Sequence, residues 1–254
     1  MQKIADYGMY TELMTRGFYD KLFFVDKLFG DWHKLIDYGC ADGTLTRMIK
    51  GVFPDKSIMG YDRDPTMVEE AREKHGSAGV TFTASLGEAR GDVLYLSSII
   101  HEVYSYCSDE QIDEFWDYVF RTDFKQIVVR DMVFDEDIER DSDINSVRKI
   151  YNWCHQESFH KYLKEFECIN GKITNFKNLL HFLLKHEYVA NWNREVRENY
   201  LPLSVQTFYN LIPACFRVDY VESYTLPYLK HLWEKKFGLF IDEKIHSKFI
   251  IRRL

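Results

Sequence analysis

Proline is scarce in this chain, 5 in 254 residues, and neither the prolines nor the 13 glycines gather into a linker-like tract. Without such a tract or an internal repeat, a string of small modules and a low-complexity chain are both excluded. Cysteine is sparse and scattered: Cys40, Cys107, Cys154, Cys168 and Cys215 are odd in number and form no C-x-x-C pair. That excludes a disulfide framework and suits reduced thiols in a cytoplasmic protein. Long apolar runs are lacking too. The most apolar stretch, Asn178 to Leu184, is far too short to cross a bilayer, and Met1 to Tyr7 has no signal-peptide core, so neither a membrane nor an export role is expected. Positive charge is in deficit, 33 Lys+Arg against 40 Asp+Glu for a formal charge of −7, which argues against a general phosphate-backbone binder. What is abundant is aromatic: seventeen Tyr, nineteen Phe and five Trp, more than a routine core needs and enough to line a substrate cavity as well.

The length fits one large domain carrying a long insertion. Tyr19, Leu22, Phe23 and Leu28 recur at helical spacing and Gly30 supplies a stop, so the first 30 residues read as an N-terminal helix. Lys34–Tyr38 reads as a strand, Gly39-Cys-Ala-Asp-Gly43 as a turn, and Leu45, Met48, Ile49 and Val52 as one face of a helix. A second unit pairs a strand at Ser57–Asp62 with a helix opened by Asp64-Pro65, where Asp64 caps the first turn and Pro65 sits where no N–H is needed. Strands follow at Val80–Ala84, Asp92–Leu96 and Lys125–Val129, with a capping box Ser108-x-x-Gln111 before the last. This alternation predicts a parallel α/β sheet with right-handed crossovers. After an acidic stretch, Asp135 to Asp143, residues 134–200 read as an inserted helical lid. The chain then returns to the core over 201–254, with a helix capped by Ser204 and strands at Phe216–Tyr224 and His246–Arg252.

The strand-turn-helix at Asp37 to Gly43 lets backbone approach a ligand beneath free helix N–H groups. Asp62, 19 residues beyond Gly43, can accept hydrogen bonds from both hydroxyls of an adenosine ribose. Together, Leu35-Ile-Asp-Tyr-Gly-Cys-Ala-Asp-Gly-Thr-Leu and Met59-Gly-Tyr-Asp-Arg-Asp-Pro-Thr-Met67 resemble the first two motifs of class I S-adenosylmethionine-dependent methyltransferases. The likeness covers roughly residues 30–133 and returns in the last two strands. A dinucleotide dehydrogenase competes less well, because no third glycine follows Gly43 to complete a G-x-G-x-x-G phosphate cradle.

The resemblance implies a Rossmann-like, doubly wound sheet of seven mostly parallel strands with the last antiparallel, and S-adenosyl-L-methionine as cofactor. It places Asp37, Gly39, Cys40, Ala41, Asp42 and Gly43 under the cofactor's amino-acid part and Asp62 on the ribose. Arg63, Met67, Ser85 and Leu86 fall around the adenine, and Ser97 and Ser98 on the methionine side. Many relatives have glycine at Ala41 and an acid near Ser85. The stretch His101-Glu102 with Cys107-Ser-Asp-Glu110 is similar to the L-H-D-x-x-x-D-E of small-molecule O-methyltransferases, making His101 the candidate base and Glu102 its orienting partner. Packing of His101 on the cofactor is the competing reading.

Arg130, with Asp131, is a candidate for binding an acidic substrate group, and Tyr19 and Lys21 for closing over the cofactor. No metal is expected: His101-Glu102 is not H-E-x-x-H, and His155/His160 and His181/His186 are five apart, about 140° around a helix. Glu102, Asp131 and Asp135 keep a magnesium alternative open. With no Pro-Pro-Tyr and no Pro-Cys, DNA base methylation is not expected. Trp153, His155, Phe159, Phe182, Tyr188 and Trp192 are the pocket candidates on the lid, favouring a small aromatic or apolar acceptor. The alternatives are an RNA substrate, met by Arg194, Arg197, Trp192, Tyr200 and the basic tract Lys230 to Arg253, or a cofactor-binding protein that no longer transfers methyl.

Overall fold

A computed structural model of the chain describes residues 17–254. The reading of Met1 to Tyr7 lies outside the described residues, as does the first half of the expected N-terminal helix. Among the described residues of that helix only Phe18–Lys21 (α1) is helical, followed by turns through residue 27. The reason is steric: Leu22, Phe23 and Phe24 are consecutive and apolar, so no single helix face can bury all three. Turns let Phe24 reach full burial against Tyr95, ring centroids 4.8 Å apart.

The βα rhythm follows as expected: Lys34–Tyr38 (β1), Thr44–Val52 (α2), Ser57–Tyr61 (β2), Pro65–His75 (α3), Thr81–Thr83 (β3) and Val93–Ser97 (β4). Ile100–Tyr106 (α4), Asp109–Arg121 (α5) and Gln126–Asp131 (β5) complete it. The caps form as read, with Asp64 accepting the Thr66 N–H at 2.9 Å and Ser108 and Gln111 closing a reciprocal box. Beyond β5 come Val133–Phe134 (β6), the cap helices Ile144–Gln156 (α6), His160–Asn170 (α7), Phe176–Lys185 (α8) and Trp192–Glu195 (α9), then Leu203–Ser204 (β7) and Val205–Leu211 (α10). Phe216–Tyr224 (β8), Pro227–Phe237 (α11) and His246–Arg253 (β9) close the chain.

The main sheet has the order β3-β2-β1-β4-β5-β9-β8, parallel from β3 through β5, with β9 antiparallel to both neighbours. The strand order reverses between β1 and β4, so a crevice opens at their carboxyl ends, where open α/β sheets bind ligands. β6 pairs with β7 in a separate parallel ladder that ties the two ends of the inserted cap together.

One expectation needs correcting. Residues 201–254 do not all return to the core, because α11 packs in the same apolar cluster as α6, α7 and α8. Trp233 of α11 is fully buried there and donates its indole N–H to the Leu183 carbonyl at 3.2 Å. The cap is therefore built from two insertions, one after β5 and one after β8. The acidic run before α6 is a paired loop: Asp143 caps α6 through the Ser146 N–H at 2.8 Å, and Arg140 pairs with Glu243.

Candidate functional site

The turn after β1 is held open by its backbone. Gly39 and Gly43 both adopt φ of +77°, a region that favours glycine, and a Cβ on Gly39 would come within 2.4 Å of the Ile99 side chain. The N–H groups of Gly39 and Cys40 both donate to the Tyr61 carbonyl, at 2.7 and 3.0 Å, which pins the turn to the end of β2. Ala41 has φ of +46°, so an alanine stands in a conformation that costs an L-residue roughly 1–2 kcal/mol. That cost is the physical reason a glycine is the residue expected there. The strain is held by Asp62, whose Oδ2 accepts the Ala41 N–H at 3.0 Å while its Oδ1 accepts the Asp64 N–H at 2.9 Å.

A cavity of about 890 Å³ runs along the carboxyl ends of β1, β2, β4 and β5. The sequence-read residues Asp37, Gly39, Cys40, Ala41, Asp42, Asp62, Arg63, Met67, Leu86, Ser97, Ser98, His101, Glu102, Arg130 and Tyr188 all line it. Gly43 lies just behind the wall against Phe82, and Ser85 does not reach the cavity: its N–H is turned to the Thr83 hydroxyl at 3.0 Å. The wall on that side is instead made by Met67, Leu86, Arg63, Cys107 and Phe115.

The residues present fit the cofactor that the motifs imply. Asp62 spends two of its roughly four lone-pair sites on the turn, leaving two for the hydroxyls of a ribose. Burial raises its pKa, which marks a carboxylate short of partners. At the other end, Lys21 of α1 is buried in the cavity wall, its ammonium over the Phe18 ring and without a hydrogen bond among the described residues. Burial and the Arg130 charge bring it down to about 8, against the pull of Asp37, Asp131 and Asp20. Asp37 accepts the Thr46 hydroxyl at 2.6 Å, and its burial pushes it up to about 6. A cation and a carboxylate facing one cavity are the complement of a zwitterionic amino-acid group.

The candidate base is held differently from the expectation. His101, near the start of α4, is buried, and its Nδ1 lies 2.8 Å from Oδ1 of Asp131, the last residue of β5. Asp131 is itself fixed, its Oδ2 accepting the N–H groups of Ile99 and Ile100, each at 2.7 Å, and its Oδ1 that of Met132 at 2.8 Å. These four contacts fill the carboxylate, so it orients the ring and has no lone pair over for a magnesium ion. Burial disfavours the imidazolium, but Asp131, with Glu102 and Glu198, outweighs it and raises the His101 pKa above the usual 6.5. Burial would likewise raise Asp131, yet the His101 charge and the backbone N–H groups hold it below 3.8.

Glu102 therefore does not orient His101. It pairs with Arg194 at 3.1 Å, and Arg194 also binds Glu198 at 2.7 Å, a network that locks α4 to the cap. Nor is Arg130 free for an acidic substrate: its Nε donates to Asp20 at 2.9 Å and to the Tyr224 hydroxyl at 3.1 Å, and its Nη1 to Ser98 at 3.1 Å. Tyr19 is 88% exposed and lies off the cavity.

Of the six pocket candidates read on the lid only Tyr188 lines the cavity. Trp153 packs on Phe159, His186 and Phe237, Trp192 meets Phe159 and Tyr162 edge-on, Phe182 is fully buried, and His155 is exposed. These aromatics join the cap helices to one another. The wall that faces the cofactor half comes from Leu183 and Leu184 of α8 and Leu226, Leu229 and Leu232 at α11, with Met132, Tyr188, Tyr200 and Tyr228. No sequence signal marked α11, because its hydrophobic positions are interleaved with lysines.

Of the residues read as an RNA surface, Arg197 is exposed and most of the others are buried or paired. Arg194, Trp192 and Tyr200 are buried, and in the basic tract Lys230, Lys236, Lys244, Lys248 and Arg252 pair with Asp242, Glu187, Asp135, Asp20 and Asp219. No group of three or more His, Cys, Asp or Glu able to hold a metal ion occurs among the described residues. No described helix is long and apolar enough to cross a membrane.

No protein-family model matches the chain, and no curated protein matches it. Solved structures do. The pyocyanin biosynthetic protein PhzM superimposes with a TM-score of 0.54 at 12% identity, over 96% of this chain and 56% of its own. An O-methyltransferase family protein from Burkholderia thailandensis gives 0.53 at 14%, over 96% and 58%. The mitomycin 7-O-methyltransferase MmcR gives 0.52 at 15%, over 98% and 59%. The chain thus spans little more than half the length of each, and at these identities the likeness is one of fold. That fold is the Rossmann-like fold of class I S-adenosylmethionine-dependent methyltransferases.

Proposed function

We propose that the chain is an S-adenosylmethionine-dependent methyltransferase acting on a hydroxyl of a small, apolar or aromatic molecule, with His101 as general base and Asp131 as its positioning residue. The observation that carries this reading is the 2.8 Å contact of His101 Nδ1 with a saturated Asp131, in the same cavity as the Gly39 turn and Asp62. When bound, the cofactor supplies an electrophilic methyl group on a sulfonium, and its transfer is an in-line substitution that needs chiefly proximity. The chain supplies the rest. Asp62, Lys21 and Asp37 fix the two ends of the cofactor. The leucines of α8 and α11 hold an apolar acceptor and keep water out.

Because Asp131 accepts only, Nδ1 of His101 carries the hydrogen and Nε2 presents a lone pair to the cavity. The acceptor's hydroxyl proton would pass to Nε2, leaving the oxygen's electron pair to take the methyl group, whose bond to the sulfonium would break with its pair kept by sulfur. A base so placed contributes about 10²–10⁴ in rate. The burial of Arg194, Trp192 and Tyr200 and the leucine wall favour this acceptor class over RNA.

The test is transfer of labelled methyl from S-adenosylmethionine to a panel of phenols and, in parallel, to an RNA pool, with S-adenosylhomocysteine binding measured by calorimetry. Label in phenols that disappears in His101→Ala supports the reading. Label in RNA, or cofactor binding with no transfer to any phenol, overturns it.

A further inference from the structure

His246, the first residue of β9, lies in the wall of the same cavity and is 4% exposed. Its position follows from register. β9 sets Ser247 opposite Asp131 of β5 and His246 opposite Tyr224 of β8, so the ring stands beside the strand end that holds His101. Tyr224 backs it, the ring centroids 5.6 Å apart at 33°. Both neighbours of this imidazole are committed elsewhere: the Tyr224 hydroxyl serves Asp20 and Arg130, and Asp131 is saturated.

The ring itself makes no hydrogen bond. Nδ1 is enclosed by protein and unmet, and no other described polar group reaches the ring. Nε2 is likewise without a partner but is not enclosed, and an unpaired polar atom of a buried side chain at a cavity wall marks a place where a ligand completes it. The tautomer can be read from the surroundings. Burial and the Arg130 cation, aided by His101, bring His246 down to about 3 against Asp20 and Asp131, so the ring is neutral near pH 7. An enclosed, unmet N–H is the rarer and costlier orphan, whereas a lone pair tolerates enclosure, and more so beside a cation. The lone pair therefore sits on Nδ1, and Nε2 carries the hydrogen toward the cavity.

Resting on the reading given above, we propose that Nε2–H of His246 donates a hydrogen bond to a second oxygen of the methyl acceptor, so that the acceptor is an ortho-oxygenated phenol held between two imidazoles. His101 takes the proton of the reacting hydroxyl, and His246 selects the molecule that carries an oxygen next to it. A substrate without that oxygen buries the Nε2–H unmet, which is how a polar group in an apolar wall gives specificity.

The probes are 2-methoxyphenol and 2-ethylphenol, which share a shape and differ by one oxygen. Their dissociation constants are measured calorimetrically on the full chain with S-adenosylhomocysteine present, for the wild type, His246→Leu and His246→Gln. The wild type is expected to prefer 2-methoxyphenol by about tenfold, the size of one neutral hydrogen bond. His246→Leu is expected to bind both alike, and His246→Gln, whose amide N–H can reach the Nε2 position, to recover part of the preference. A structural role would weaken both ligands equally and leave the ratio unmoved. No preference in the wild type, absence of binding by both phenols included, or a preference that survives in His246→Leu, overturns the assignment and leaves the cofactor reading standing. Failure of S-adenosylhomocysteine to bind the wild type overturns both.

Discussion

The carboxylate of Asp131 lies 2.8 Å from Nδ1 of His101 while it also takes the N–H groups of Ile99, Ile100 and Met132, so one side chain orients the candidate base and ties the end of β5 to the start of α4. Removing its charge should therefore move both the rate and its pH dependence. Transfer requires neutral His101, and the raised pKa puts the acid limb of kcat/KM above pH 6.5. In Asp131→Asn the burial effect is less opposed, so the limb should move to lower pH while kcat falls, by about 10²-fold if orientation is lost. An unchanged pH profile would refute the pairing. The same pair governs stability: a raised His101 pKa stabilises the fold fully below pH 6.5, and that contribution fades as pH rises through the folded value. Urea midpoints of the wild type and His101→Ala should therefore diverge most on the acid side.

Asp62 is the anchor expected for the ribose. Two charge-assisted hydrogen bonds at about 1.5–3 kcal/mol each set the scale of its loss. Asp62→Ala should weaken S-adenosylhomocysteine binding by roughly 10²–10⁴-fold, and it should also release the Ala41 N–H that Asp62 holds at 3.0 Å. Calorimetry on the variant checks this, and affinity within a factor of three of the wild type would be incompatible with it.

Lys21 offers a test by chemical subtraction. Its ammonium has no hydrogen bond among the described residues, and it is expected to meet the cofactor's carboxylate. Lys21→Met should lower affinity for S-adenosylhomocysteine about tenfold or more and leave 5′-methylthioadenosine, which has no amino-acid group, nearly unaffected. Because the ammonium titrates near 8, wild-type preference for S-adenosylhomocysteine should shrink as pH rises through that value. Equal losses for the two ligands would place Lys21 outside the site.

The two-part cap makes a prediction of its own. Trp233 fills the cluster shared by α8 and α11 and is fully buried. Trp233→Ala should cost about 3–5 kcal/mol by the transfer and cavity terms, read as a drop in urea midpoint. It should also raise KM for the acceptor more than for the cofactor, since Leu229 and Leu232 hang on the same helix. A cofactor KM that rises equally would argue against a separate acceptor wall.

Much of this molecule could be read before any coordinate was placed. The alternation of strands and helices up to β5 follows from periodicity, and the Gly39 turn, Asp62 and the caps at Asp64 and Ser108 depend on interactions a few residues long or on a motif of fixed spacing. Such local signals survive in sequence because backbone sterics and helix-end chemistry fix them. The candidate site was legible where it is made of those turns, and illegible where it depends on what a distant strand or helix brings alongside.

His101 shows the division. Its place after β4 was evident from sequence, but the neighbour in the chain, Glu102, turns to Arg194 while Asp131, thirty residues on, takes the ring. The lid shows it again. The aromatic excess did mark a helical insertion, yet its Trp and Phe residues hold the cap together, and the cap side of the cavity is walled by leucines, three of the five at a helix beyond β8. Sequence determined the sheet, the turns and the identity of the groups available. Which of those groups face one another was decided only by tertiary packing, because side-chain partners across strands and caps are set by register and by the competition to bury apolar surface, neither of which is local.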